Sequence, residues 1–174
     1  MPMDSKLLET VRDAVQSSEF WQAYFEDLAF DNPPEVSTHL AVFVEPYLRY
    51  ILDGQKTVES RFSVNQTPPY RRVDVGDVLL LKRTGGPIIG IGEISQVWFY
   101  HIDSESLHEL QTAFSAALCA QDPQFWADRS NASYATLMRL EHVESIAPIQ
   151  IGKRDRRAWV VLRKRSRQML LWNE

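Results

Sequence analysis

From residue 5 to residue 30 the apolar positions recur at intervals of three and four. Leu7, Leu8, Val11 and Val15 make one such run, and Phe20, Trp21, Tyr24, Phe25 and Leu28 make a second. This spacing predicts two amphipathic helices. "QSSEF" separates them, with Ser17 or Ser18 available to cap the second helix and Glu19 in its first turn. Consecutive prolines in "DNPPEVS" end the pattern, because proline lacks a backbone donor and clashes with the preceding turn. Residues 1–36 therefore read as a helical extension packed on a core unit spanning residues 37–174. The aromatic stripe of the extension reads as a packing surface.

Beyond the prolines the pattern changes to short apolar runs and alternation. "HLAVFV" fits a buried strand, and "EPYLRYILDG" a short helix with Pro46 in its first turn and Gly54 at its end. "TVESRF" alternates like a strand, "NQTPPYRRVDVGD" is a loop, and "VLLLKR" is a second buried strand. "TGGP" turns into "IIGIGEISQVWFY", a long strand whose Gly90 and Gly92 mark a bulge or a close backbone approach. "DSESLHELQTAFSAALCAQ" reads as a helix, with Ser106 and Glu109 at capping-box spacing and Asp103 an equal candidate cap. "DPQFWADRSN" is a short helical turn, "ATLMRLEHVESI" and "RAWVVLR" are final strands, and the tail "RQMLLWN" extends the sheet or docks on it. Strands outnumber helices in the core without regular βαβ alternation. The expected class is α+β, with a barrel-like antiparallel sheet.

Composition narrows the setting. Hydrophobic residues make up 44% and charged residues 24% of the 174, ordinary for a globular chain. One cysteine, Cys119, leaves no intrachain disulfide, and no apolar stretch is long enough to span a bilayer. A soluble, cytoplasmic protein without a membrane partner is expected. Cys119 reads as a core residue on the apolar face of a helix. The net charge of −4 is unevenly spread: residues 1–35 and 84–151 each hold eight acids against two bases, residues 49–83 seven bases against four acids, and residues 152–167 eight bases against one acid. An anionic partner is therefore compatible with overall acidity, provided the two basic segments meet.

The densest chemistry lies in "DGQKTVESRF". Strand parity puts Val58 and Phe62 on one face and Glu59 and Arg61 on the other, with Lys56 at the turn, able to swing over the second face. Parity alone leaves two readings open, a surface ion pair and a ligand cleft. "GQKTVESR" matches a Gly-x-Lys-x-x-Glu-x-Arg signature, and the chain resembles the ASCH domains, a PUA-like group. "PYLRYILDG", "VDVGDVLLLKRTGGPIIGIGEISQV" and "RLEHVESIAPI…KRDRRAWVVL" extend the resemblance over roughly residues 38–163. It implies a small PUA-like β-barrel with flanking helices, in addition to the N-terminal helical extension, and a cleft beside the signature strand that binds RNA or a nucleotide. On that reading Lys56 is a mobile point charge for phosphate or a polarised carbonyl. Arg61 is a planar fork for phosphate or a base edge, and Glu59 an acceptor for an exocyclic amine or a support for Arg61.

The resemblance also implies enzymatic alternatives. One branch removes an acyl group from modified cytidine with a Lys, a Thr three residues later and a distant Glu. Here Lys56 is followed at that distance by Glu59, with Thr57 adjacent, and Glu93, Glu105 and Glu109 are the open choices for the distant carboxylate; Lys56 and Glu59 would be the catalytic pair. A ribonuclease branch would draw ligands from His101, Asp103, Glu105, His108 and Glu109, but their spacing fits no metal motif, and no metal or cofactor is expected. His39 and His142 read as packing or surface residues. For RNA, Tyr70, Arg71, Arg72, Lys153, Arg154, Arg156 and Arg157 supply rings and cations for ligand binding, with Trp98 and Tyr100 as further stacking candidates and Trp159 as core. A third alternative is a protein partner docked on the N-terminal helices.

Overall fold

A computed structural model of the chain describes residues 5–26, 34–152 and 156–166. Helices α1 (Ser5–Ala14) and α2 (Glu19–Tyr24) precede strand β1 (Thr38–Phe43), helix α3 (Tyr47–Leu52), and strands β2 (Val58–Ser63), β3 (Val78–Arg83) and β4 (Ile88–His101). Helices α4 (Ser104–Phe114) and α5 (Pro123–Ala127) and strands β5 (Tyr134–Ile149) and β6 (Trp159–Arg163) complete the order. Ser18 caps α2 by accepting from the Trp21 amide. Asp103 and Ser106 form a reciprocal capping box on α4. Both caps remove orphan donors that would otherwise fray short helices.

The six strands form one sheet in the order β2-β5-β4-β3-β1-β6, curled into a half-barrel. Among the described residues every pairing is antiparallel, as the sequence led one to expect of the sheet in general, except β1 with β3, which is parallel. The chain between those two strands runs through α3, β2 and a loop, long enough to return in the same direction. All of Val78 to Leu81 is buried because both faces of β3 are covered. Val78 and Leu80 face a cluster with α1 and α2, while Leu79 and Leu81 face the barrel interior with α3. A third cluster lies outside β2 and β5, under α4 and α5. Gly90 is needed where α3 crosses β4: a Cβ there would meet Leu52 Cδ2 at 2.8 Å. The β4–β5 register also shifts around it, so bulge and close approach coincide.

The N-terminal aromatic stripe is packing surface. Trp21 is fully buried and donates from Nε1 to the His142 carbonyl at 2.9 Å, and the Phe20 ring stacks on His142 at 3.6 Å. Tyr24 Oη donates to the Gly76 carbonyl, and burial raises its phenol above the ordinary value. These rings are packed against the sheet. Cys119 departs from expectation. The helix ends at Phe114, and Cys119 sits half-buried in the following turn with φ +52°. The tail at 167–173 lies outside the described residues.

A buried polar knot ties β1 to the start of β3. Asp77, fully buried, accepts from the amides of Ser37 and Asp74 at 2.9 Å each and from Arg165 Nη2 at 2.6 Å. It also lies 2.9 Å from His39 Nε2. The Trp159 indole, which can only donate, reaches His39 Nδ1 at 3.2 Å. The His39 ring therefore carries its proton on Nε2 and donates to Asp77. His39 is a fully satisfied packing residue.

Glu93 lies opposite Glu141 across the β4–β5 ladder, 3.8 Å from His142 Nε2. Burial raises its pKa, His142 lowers it in part, and Glu141 raises it further. A raised folded-state value means that ionising Glu93 costs stability as the pH climbs through it. Glu93→Gln is therefore expected to raise the urea midpoint at about pH 7 and to leave it unchanged at about pH 3, where both forms are uncharged. Urea titrations at the two pH values check this.

Candidate functional site

β2 is an edge strand, and its alternation sorts the signature residues. Val58 and Phe62 point into the outer cluster beneath α4 and α5. Glu59 and Arg61 turn toward the barrel interior, where the Arg61 guanidinium lies 4.9 Å from the Phe43 ring and 5.5 Å from Trp159. Its Nη2 donates to the Val42 carbonyl at 3.0 Å and Nη1 to the Ala158 carbonyl at 3.4 Å. Arg61 thus reaches from one edge of the sheet to the backbone at the other. The open side of the half-barrel is fastened by a side chain.

Glu59 is the counter-ion of this fastening. Its Oε1 lies 2.9 Å from Arg61 Nε and its Oε2 3.3 Å from Lys56 Nζ. The Arg61 Nε–H makes no aligned hydrogen bond, so that contact is coulombic. Lys56 donates to the Leu118 carbonyl at 3.2 Å, and its charge sits 5.6 Å over the Tyr47 ring. Lys56 and Glu59 are 4% and 6% exposed, so neither swings freely. Lys56 is a fixed charge in the cleft wall, in contrast to the mobile one expected.

Over the trio opens a cleft of about 1110 Å³. Six cationic side chains line it (Lys56, Arg61, Lys82, Arg129, Arg156 and Arg157) against two acids, Glu59 and Asp128. In a chain of net charge −4 this is a local reversal of sign. Phe43, Tyr47, Phe62 and Phe125 add aromatic surface. Val44 and Val64, 58% and 63% exposed, stand at the rim. Arg129 lies against this wall, its guanidinium carbon 3.4 Å from the Phe125 centroid and 5.4 Å from that of Phe62. Nη1 donates to the Phe125 carbonyl at 2.8 Å. Burial lowers the pKa of this guanidinium, with Tyr47, Asp128 and Glu59 acting the other way. Arginine's intrinsic basicity still leaves it charged.

Solved structures share this architecture. An ASCH protein from Zymomonas mobilis aligns at a TM-score of 0.58 and 16% identity, covering 78% of this chain and 94% of that one. A serine-to-alanine variant of the Zymomonas mobilis protein aligns at 0.59 and 18% identity, covering 80% and 97%. The chain has the ASCH fold. No protein-family model matches the sequence, and no curated protein does. At such identity the likeness is one of fold, a PUA-like α+β half-barrel, and the chemistry of the site rests on the residues themselves.

In this ASCH fold the site residues expected from sequence divide into two groups. Lys56, Glu59, Arg61, Arg156 and Arg157 meet on the cleft, so the two basic segments come together as an anionic partner requires. Lys153 and Arg154 lie outside the described residues. Tyr70, Arg71 and Arg72 do not line the cleft: they lie in the loop between β2 and β3, with Tyr70 against Phe99 and Tyr134. Glu93, Glu105 and Glu109 are also absent from the lining, and Thr57 is exposed outside it. Asp103 is spent on capping α4. Trp98 packs on Phe114 under α4, and burial raises the pKa of the half-buried Tyr100. Trp159 is core, as its sequence implied. Arg129 and Phe125 went unrecognised in the sequence. Their i,i+4 spacing in "FWADR" is the one local signal, and only the tertiary fold brings that pair opposite Lys56.

Proposed function

We propose that the cleft of this ASCH fold binds a nucleotide unit, free or within RNA. The observation that carries the reading is the lining itself, which faces six cations and four aromatic rings into one space. Phosphate calls for the first and a base for the second. Arg129, already against the face of Phe125 at 3.4 Å, extends the aromatic wall and offers its remaining N–H groups to a phosphate. Lys56, Glu59 and Arg61 act as a fixed charged floor that positions the walls. The family resemblance of the sequence points to the same class of ligand.

Fluorescence titration with a mononucleotide and a short single-stranded RNA, each at two salt concentrations, tests this. Arg129→Ala is expected to weaken both ligands roughly tenfold, the scale of a charge-assisted hydrogen bond. Affinity for the RNA should fall with salt at a slope of about −0.7 per phosphate contact. Unchanged affinity in Arg129→Ala, or binding that ignores salt, would overturn the proposal.

A further inference from the structure

Tyr70 and Arg71, left outside the cleft, belong to a second cluster on the same face of the sheet. Ser63, a cleft residue, pairs with Tyr134 on β5, and Tyr134 pairs with His101 on β4. Side chains paired this way project from one face, so the cleft floor continues across two strand spacings, about 10 Å, to His101. Along that path the rings are in contact: Tyr134 to His101 at 5.2 Å and 31°, Tyr134 to Tyr70 at 4.8 Å, and Tyr70 to Phe99 at 5.6 Å. The Arg71 guanidinium lies 5.2 Å from Phe99 and 5.7 Å from Tyr70.

This cluster differs from a plug closing the barrel end. A plug needs buried apolar atoms, yet His101, Arg71 and Arg72 are exposed, and Tyr70, Phe99 and Tyr134 keep part of their surface in solvent. Arg71 also adopts φ +57°, a left-handed conformation that non-glycine residues take up at a cost. That backbone carries its charge over the rings. The Arg71 guanidinium, the exposed His101 ring and the half-buried Tyr134 tilted 31° to it form a stacking platform, and Arg72 adds charge for a backbone phosphate.

We infer that the ligand is a single strand of nucleic acid several nucleotides long, which passes from the cleft over Ser63 onto this second platform. The inference rests on the cleft reading for the first nucleotide and adds a second base site with its own residues. A single nucleotide occupies the cleft and does not reach His101. A strand touches both.

The test compares adenosine monophosphate with labelled single-stranded RNA and DNA of about eight nucleotides, within the span of known single-strand sites. Arg71→Gly suits the left-handed backbone, and His101→Ala alters an exposed ring, so neither variant threatens the fold. Each is expected to weaken the oligonucleotide roughly three- to tenfold and to leave the mononucleotide unchanged. A preference between RNA and DNA identifies which strand the platform serves. Oligonucleotide affinity unchanged in both variants, or no oligonucleotide binding at all, overturns the inference. A loss confined to the oligonucleotide while the mononucleotide fails to bind the wild-type protein would sustain the platform and retire the cleft reading.

Discussion

Arg61→Ala is expected to lower stability by about 3 kcal/mol, shifting the thermal midpoint by roughly 10 °C. The reason is its position across the open side of the half-barrel. The substitution strips a guanidinium donor from the carbonyls of Val42 and Ala158, and it takes from Glu59, 6% exposed, the closer of its two ion-pair contacts. Arg61→Lys should recover only part of the loss. An ammonium restores the charge beside Glu59, but it has no planar fork to span two carbonyls or to lie against Phe43 and Trp159. Thermal unfolding of both variants checks the order wild type, Lys, Ala. Equal midpoints in all three would show that the fastening contributes nothing and would return Arg61 to the role of a ligand fork.

A larger loss is expected at Asp77. Asp77→Ala leaves the Ser37 and Asp74 amides, His39 Nε2 and the Arg165 guanidinium without their shared acceptor in a fully buried place. Removing one partner from such a network costs about 4 kcal/mol or more, a large share of the roughly 5–15 kcal/mol that holds a domain folded. Asp77→Asn should fall between, because its amide keeps one acceptor oxygen but presents N–H groups where two donors already point. Urea denaturation is the measurement. A midpoint within error of wild type for Asp77→Ala would refute the network's importance.

The parts of this molecule that were legible in its sequence are those governed by neighbours along the chain. Alternation placed Val58 and Phe62 opposite Glu59 and Arg61, the glycines of "IIGIGE" marked the bulge that falls at Gly90, and the pair Ser17–Ser18 announced the start of α2, where Ser18 is the cap. The octet around Lys56 located the cleft. What remained hidden depends on partners far apart in sequence. Nothing near Lys56 says that the Leu118 carbonyl will pin it, and nothing near Arg61 says that its fork will be taken up by Val42 and Ala158. The parallel β1–β3 pair was likewise invisible, because strand composition does not encode direction. Arg129 was passed over because a short helical turn gives no sign of which space it faces.

The position of β1 has a further consequence, for the order in which the chain acquires its structure. Its six residues pair with β3 on one side and with β6, more than a hundred residues downstream, on the other. During synthesis β1 therefore emerges early and keeps one row of backbone donors and acceptors unmatched until the last described strand arrives. Pairings of such separation are slow to form, and an unmatched strand as apolar as "HLAVF" is a template for wrong partners. The half-barrel's vulnerable period is thus set by the distance along the chain between β1 and β6, the last of the described strands.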